Sequence, residues 1–399
     1  MAGPKPRYLA LAAMAAAFAW QWLTVHANYA GNWTALYCTG AKLGVPASLA
    51  PEHVFQFPDS YGYDGQMYHY IAHDPLLRTP DLEAAVDNPR LRYRRILVPG
   101  LAYLFAAGRA RWVDPAFYAV ILLCIGAGAW WSAALCRAMG RSTAWGLVFL
   151  VLPATLVSMD RMVTDVALAA LTIAFAYYVR TPSWRLFVVL AAAILARETG
   201  VLLLAGYGGA LLLERRIKQA AIYSLAALPA LAWFAYVHAH TRGEHFHASF
   251  IPLSAIWTAF VHPFVYPAGV HLVWLAKMAD DLALIGMLAA FALALRWNLR
   301  RNPDALALAL IGFVSLGILL QQSEPWLNVY AYGRIYAPLL VLLGVQGLQR
   351  GSWLALVPLL AILPRIAMQF GNQILGVAQA LLPAAATLLS PPGAAVWRQ

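Results

Sequence analysis

The chain has 399 residues, of which 62% are hydrophobic and only 11% charged. Soluble globular proteins are nearer half apolar and a quarter charged. This composition, with a mean hydropathy of +0.64, excludes a soluble enzyme, a disordered regulator and a secreted disulfide scaffold, and describes a polytopic integral membrane protein. The net charge of +11 is read as Lys and Arg retained in cytoplasmic loops, so no nucleic-acid partner is expected. Cysteine is scarce, and Cys124 and Cys136 lie too far apart along one apolar stretch to bridge. No disulfide framework or redox chemistry is expected.

In chain order, Lys5 and Arg7 precede an apolar run over 8–26 that lacks a convincing cleavage site and is read as an uncleaved first span. A polar and aromatic segment follows over 27–111, with a short apolar piece at 96–108 that is expected to lie at the interface without crossing. Further apolar runs fall at 115–136, 142–158, 163–180, 184–196, 199–213, 217–238, 282–297, 305–322, 331–348, 352–369 and 374–389. There is no internal repeat and no low-complexity linker. The fold expected is a single all-α polytopic membrane domain over 1–399, with about 11–13 transmembrane helices. Its long first outer loop, 27–111, is expected to carry juxtamembrane helices, and 239–281 forms a second long outer loop.

With Lys5 and Arg7 in the cytoplasm, the pairs Arg137/Arg141 and Arg180/Arg185 and the clusters around Arg215, Arg300 and Arg350 also fall inside, as the positive-inside rule requires. The histidines, and every acidic residue except Glu214 and Asp304, fall outside. Titratable chemistry is therefore expected at the outer face. Arg197 and Glu198 sit between two short apolar runs, at the outer boundary or in a watery cavity below it, where charge is functional or paired.

The densest segment is Gly62-Tyr63-Asp64-Gly65-Gln66-Met67-Tyr68-His69-Tyr70-Ile71-Ala72-His73-Asp74-Pro75. Asp64, bracketed by glycines, is either a general base toward an acceptor hydroxyl or the cap of a helix beginning near Gln66; the two roles are compatible. Tyr63, Gln66, Tyr68 and His73 are candidate substrate contacts around it. Downstream, Arg90, Arg92, Arg94 and Arg95 break the positive-inside trend at an outer interface. They serve a phosphate-bearing lipid, anionic headgroups, or pairing with Asp81, Glu83 and Asp87. Arg94 and Arg95 lie closest to the membrane.

Asp160, Arg161 and Asp165 fall at the outer end of the 142–158 run and the start of the next. Asp160 pairs with Arg161 and Asp165 opens a helix after Thr164, or all three join Asp64, Arg197 and Glu198 in one pocket. Arg334, in Tyr330-Ala331-Tyr332-Gly333-Arg334-Ile335-Tyr336, is a phosphate or sugar contact with Tyr332, or snorkels to headgroups. Lys277 carries a weaker form of the same argument. His238, His240, His245 and His247, with Glu244, fit no closed metal-site spacing and read as a solvated loop. Phosphate-cradling glycine motifs and a nucleophile elbow are absent from the sequence.

The layout resembles the polytopic GT-C glycosyltransferases: a cytoplasmic N-terminus, one span, a long outer loop with an early carboxylate, then many spans. Tyr63-Asp64-Gly65-Gln66, Tyr70-Ile71-Ala72, Asp74-Pro75, Arg95-Ile96-Leu97-Val98-Pro99 and Ala196-Arg197-Glu198-Thr199-Gly200 are similar to a bacterial subgroup described as cell-surface glycopolymer formation proteins. The layout covers most of the chain, whereas each motif is short. The resemblance implies an inner-membrane enzyme that takes a sugar from a polyprenyl-phosphate carrier at the outer face. The sugar passes, with inversion, to a lipid, glycan or protein acceptor. It implies Asp64 as the first-loop catalytic aspartate and Asp165 as the second acidic position, with Glu198 a further candidate. Arg94, Arg95, Arg197 and Arg334 are implied for the carrier phosphate. Asp64 lacks an Asp-X-Asp or adjacent Asp-Glu partner, so no cofactor is expected and a divalent metal is not favoured. The competing readings are a transporter or flippase of polyprenyl-linked substrates, and a glycan polymerase or ligase.

Overall fold

A computed structural model describes residues 3–242, 251–266, 273–299, 303–319 and 323–381. Of the described residues, 77% are helical. Among the described residues the strands are one parallel pair, Thr39–Gly40 beside Gln56–Phe57 with Thr39 opposite Gln56. The all-α class expected from composition is therefore what the chain adopts.

Among the described residues, four helices are long and apolar enough to cross a membrane: Pro6–Asn28, Ala110–Ala138, Ile217–His240 and Val273–Asn298. The number rises to seven if each of three bent helix pairs is one span. By length and composition this is fewer than the number expected from the apolar runs. The difference rests on four shorter apolar helices, Asp165–Tyr178, Trp184–Ala196, Glu198–Leu213 and Ala305–Leu319. At 1.5 Å per residue these span roughly 20–25 Å, against a hydrocarbon core of about 30 Å. The chain is a multi-pass membrane protein.

On one long helix an outward stripe of large apolar side chains stands opposite a run of buried alanines, with Leu284, Met287 and Phe291 buried among them. On Val273–Asn298, Trp274, Met278, Leu282 and Ile285 form an exposed stripe, while Ala276, Ala279, Ala283, Ala290 and Ala294 are buried. Such inversion is what lipid-facing helices with close backbone packing require. Gly286 shows how close: a Cβ there would lie 2.6 Å from that of Ala361. One buried polar clamp crosses the bundle, where Asn298 and Gln346 exchange amide hydrogen bonds of 3.0 and 2.7 Å.

Several apolar runs are not straight spans. Residues 142–158 form a 3-10 helix, Thr143–Val151, and an α-helix, Pro153–Arg161, set at 56° to each other. Pro153 forces the break, because it carries no N–H and holds Leu152 extended at ψ 138°. Val329–Ile335 and Ala337–Arg350 are likewise bent by 56°. The run at 374–389 is helical as far as Leu381; its remainder lies outside the described residues. The 96–108 piece is a nine-residue helix, Leu97–Phe105, far shorter than a crossing needs.

Candidate active site

The segment joining the first two long helices folds over one end of the bundle and carries Asp64 in the first turn of helix Asp64–His73. Two glycines place that turn. Gly62 adopts φ +81°, a conformation side chains rarely take. Gly65 packs so closely that a Cβ would meet the Arg161 carbonyl at 2.1 Å. The helix starts two residues earlier than expected, and the Asp64 side chain does not cap it: the N-cap is Tyr63, without a side-chain bond.

Asp64 is instead held by two arginines. Arg92 Nη2 donates to Oδ1 at 2.8 Å, and Arg334 donates to Oδ2. Arg334 Nη1 donates to Asp165 Oδ2 at 2.7 Å, and Arg197 donates to Asp165 Oδ1. Glu198, beside Arg197, takes both arms of Arg95, at 2.7 and 3.0 Å. Arg95 Nη1 also donates to the Tyr68 hydroxyl at 3.1 Å, and Arg92 pairs with Asp87 at 2.7 Å. Positive and negative groups alternate throughout, so no buried charge stands alone.

Exposure differs along the network. The Asp165 side chain is 2% exposed, whereas Asp64 is 20% and Glu198 32% exposed. Asp165 is therefore the sealed anchor that fixes Arg334 and Arg197, and Asp64 and Glu198 are the carboxylates with exposed surface. Burial alone would raise the Asp64 carboxyl, but Arg334 and Arg92 override it and hold it well below the ordinary carboxylate range. Arg197 Nε, Arg334 Nε and the Tyr63 hydroxyl are buried and lack a hydrogen-bond partner.

Other expected residues separate into two groups. Tyr63 belongs with the network, its ring lying 5.1 Å from Arg161 and 5.3 Å from Arg334. Arg161 and Asp160 flank it and pair at 3.7 Å. Gln66, Arg94, His73, Lys277 and Tyr332 make none of the ion pairs around Asp64. Gln66 Oε1 accepts from the Gly40 N–H and its Nε2 donates to the Tyr61 carbonyl, so its amide braces the loop backbone. Arg94 lies over the Phe234 ring, not with Arg95. His73 sits with His69 and Asp114. Lys277 is exposed on the helix Val273–Asn298, because that helix extends into the expected loop. Tyr332 is fully buried and stacked on Trp326 at 5.2 Å.

Sequence reasoning passed over Arg92 as an individual site residue. Its signal was readable in part: Asn88 caps and Pro89 opens a short helix that ends at Arg92, among four closely spaced arginines in an otherwise apolar chain. Arg365, paired with Asp280 at 2.8 Å and with Tyr266 at 2.9 Å, gave no signal inside its apolar run. His238 and His240 end the helix Leu228–His240, and His245, His247 and Glu244 lie outside the described residues. A separate cavity of about 180 Å³, lined by Leu135, Arg141, Trp145, Leu348 and Trp353 among others, has none of the network residues in its wall.

Comparison with protein-family models, with curated proteins and with solved structures gives no match.

Proposed function

We propose that the chain is an inverting glycosyltransferase of the GT-C type, moving a sugar from a polyprenyl-phosphate carrier to a lipid, glycan or protein acceptor at the outer face of a bacterial inner membrane. The observation that carries the reading is a partly exposed carboxylate, Asp64, clamped between the largely buried guanidiniums of Arg92 and Arg334. A lipid-linked donor needs cations at the depth of its phosphate, and a transferase needs a base open to water beside them. Both requirements meet here.

In this reading Arg92, Arg95, Arg197 and Arg334 receive the donor phosphate, and Arg94 is withdrawn from that set. The arriving anion competes with Asp64 for Arg334 and Arg92, which frees Asp64 and raises its basicity. The acceptor hydroxyl then passes its proton to Asp64 as its oxygen bonds to the anomeric carbon. The carbon–oxygen bond to phosphate breaks on the opposite face, leaving its electron pair on a phosphate oxygen that the arginines stabilise. Asp165 is a positioning residue. Glu198 holds Arg95.

The reading is tested by binding of an unsugared polyprenyl phosphate to the purified protein, followed by native mass spectrometry. Retention by wild type and by Asp64→Asn, with loss in Arg334→Ala, is expected. No binding to wild type contradicts the reading.

A further inference from the structure

We infer that His69, His73 and Asp114 form a binding site for one zinc-class divalent ion, distinct from the arginine–carboxylate network. His69 and His73 stand four apart on helix Asp64–His73, which puts both rings on one face. Asp114 comes from the start of the long helix Ala110–Ala138. His69 Nε2 lies 2.9 Å and His73 Nε2 3.4 Å from the same oxygen, Asp114 Oδ1. All three ligand atoms fall within 4.8 Å of one another. Tetrahedral zinc, with bonds of about 2.0–2.2 Å, spaces its ligand atoms about 3.4 Å apart.

Hydrogen bonding alone does not account for the cluster. His69 is fully buried, yet neither ring nitrogen has a hydrogen-bond partner. Nε2 meets Asp114 Oδ1 as a 2.9 Å ion-pair contact, while Nδ1 faces no partner among the described residues. Meanwhile Asp114 Oδ1 also accepts from the Tyr37 hydroxyl at 3.1 Å and faces His73, so several groups converge on one oxygen. A cation between the two Nε2 atoms and that oxygen gives the buried imidazole a partner. Tyr37 is then an outer-shell group twice over, holding the carboxylate through its hydroxyl and stacking on the His69 ring at 4.0 Å.

Two neutral imidazoles and a carboxylate suit zinc and its first-row neighbours better than calcium or magnesium, which prefer all-oxygen sites. The ion would staple the end of the Asp64 helix to the adjoining long helix. Its place at that helix's C-terminal turn, where the macrodipole favours positive charge, supports this. No step of the proposed transfer passes through it.

The test uses tag-free, full-length protein in detergent, stripped with chelator and titrated with Co²⁺ and with Zn²⁺. One tight equivalent is expected in wild type. His73→Gln and Asp114→Asn should each weaken that equivalent by about 100-fold or more, since loss of even an outer-shell partner commonly costs 10–100-fold. His73→Cys should retain Co²⁺ and acquire thiolate-to-cobalt charge-transfer absorption, a signal that only a ligand at this position produces. Weaker binding by the histidines near the 238–247 segment should be unaffected by any of these changes. Absence of a tight equivalent in wild type, its persistence in both His73→Gln and Asp114→Asn, or cobalt binding by His73→Cys without the new absorption overturns the site.

Discussion

Arg334 and Asp64 stand 270 positions apart in the chain and meet as an ion pair. Arg334 also holds Asp165 with its other terminal nitrogen. One guanidinium, in the last turn of the helix Val329–Ile335, therefore joins the segment between the first two long helices to the start of the helix Asp165–Tyr178, so the site is assembled from distant parts of the chain. Lysine is a point charge and cannot bridge both carboxylates with a planar fork. Arg334→Lys should raise KM for a polyprenyl-linked donor at least tenfold while leaving the protein monodisperse. Arg334→Ala should also destabilise it, by about 3–5 kcal/mol, because Asp165 loses a buried partner. Unchanged KM in the lysine variant would remove Arg334 from the phosphate site.

How much of this was legible beforehand follows from what each residue depends on. The all-α class and Asp64, Arg95, Arg197, Glu198 and Arg334 could be picked out because charge in an apolar chain is conspicuous. Their pairing could not, since Arg92 with Asp64 and Arg95 with Glu198 depend on how distant helices dock. The backbone bonds of Gln66 could not be foreseen, because a buried amide that braces a loop has the same sequence signature as a substrate contact. Lys277 was misplaced because the helix Val273–Asn298 begins before the apolar run does. The break at Pro153 was hidden by unbroken hydrophobicity.

The bracing role of Gln66 has its own test. Gln66→Leu leaves the Gly40 N–H and the Tyr61 carbonyl without their partners, at about 1–3 kcal/mol for each group that stays dry. The melting temperature should fall, and donor KM of the folded fraction should hold. A large rise in KM with unchanged stability would return Gln66 to the substrate contacts.

Asp64 also fixes a pH dependence. Its carboxyl is depressed in the folded protein, so its contribution to stability is fully present above the unfolded value, about 3.9. That contribution is lost as pH falls through the lower folded value. The acid limb of kcat/KM, which reports the free enzyme, should accordingly lie below about pH 4. The limb of kcat should lie higher, because bound phosphate has drawn the arginines away. Arg92→Gln should move the kcat/KM limb upward. Coincident limbs in kcat and kcat/KM would mean that the donor does not free the base.

The most direct measurement is transfer itself. Purified wild type and Asp64→Asn would each be offered a panel of polyprenyl-phosphate monosaccharides in native lipid extract, with release of polyprenyl phosphate followed over time. Wild type should turn over at least one donor, and Asp64→Asn, folded and still binding carrier, should be slower by about 10²–10⁴-fold, the range that general-base catalysis supplies. Equal turnover by the two proteins, or carrier binding with no release from any donor, contradicts the assignment; the second result points to a transporter or polymerase.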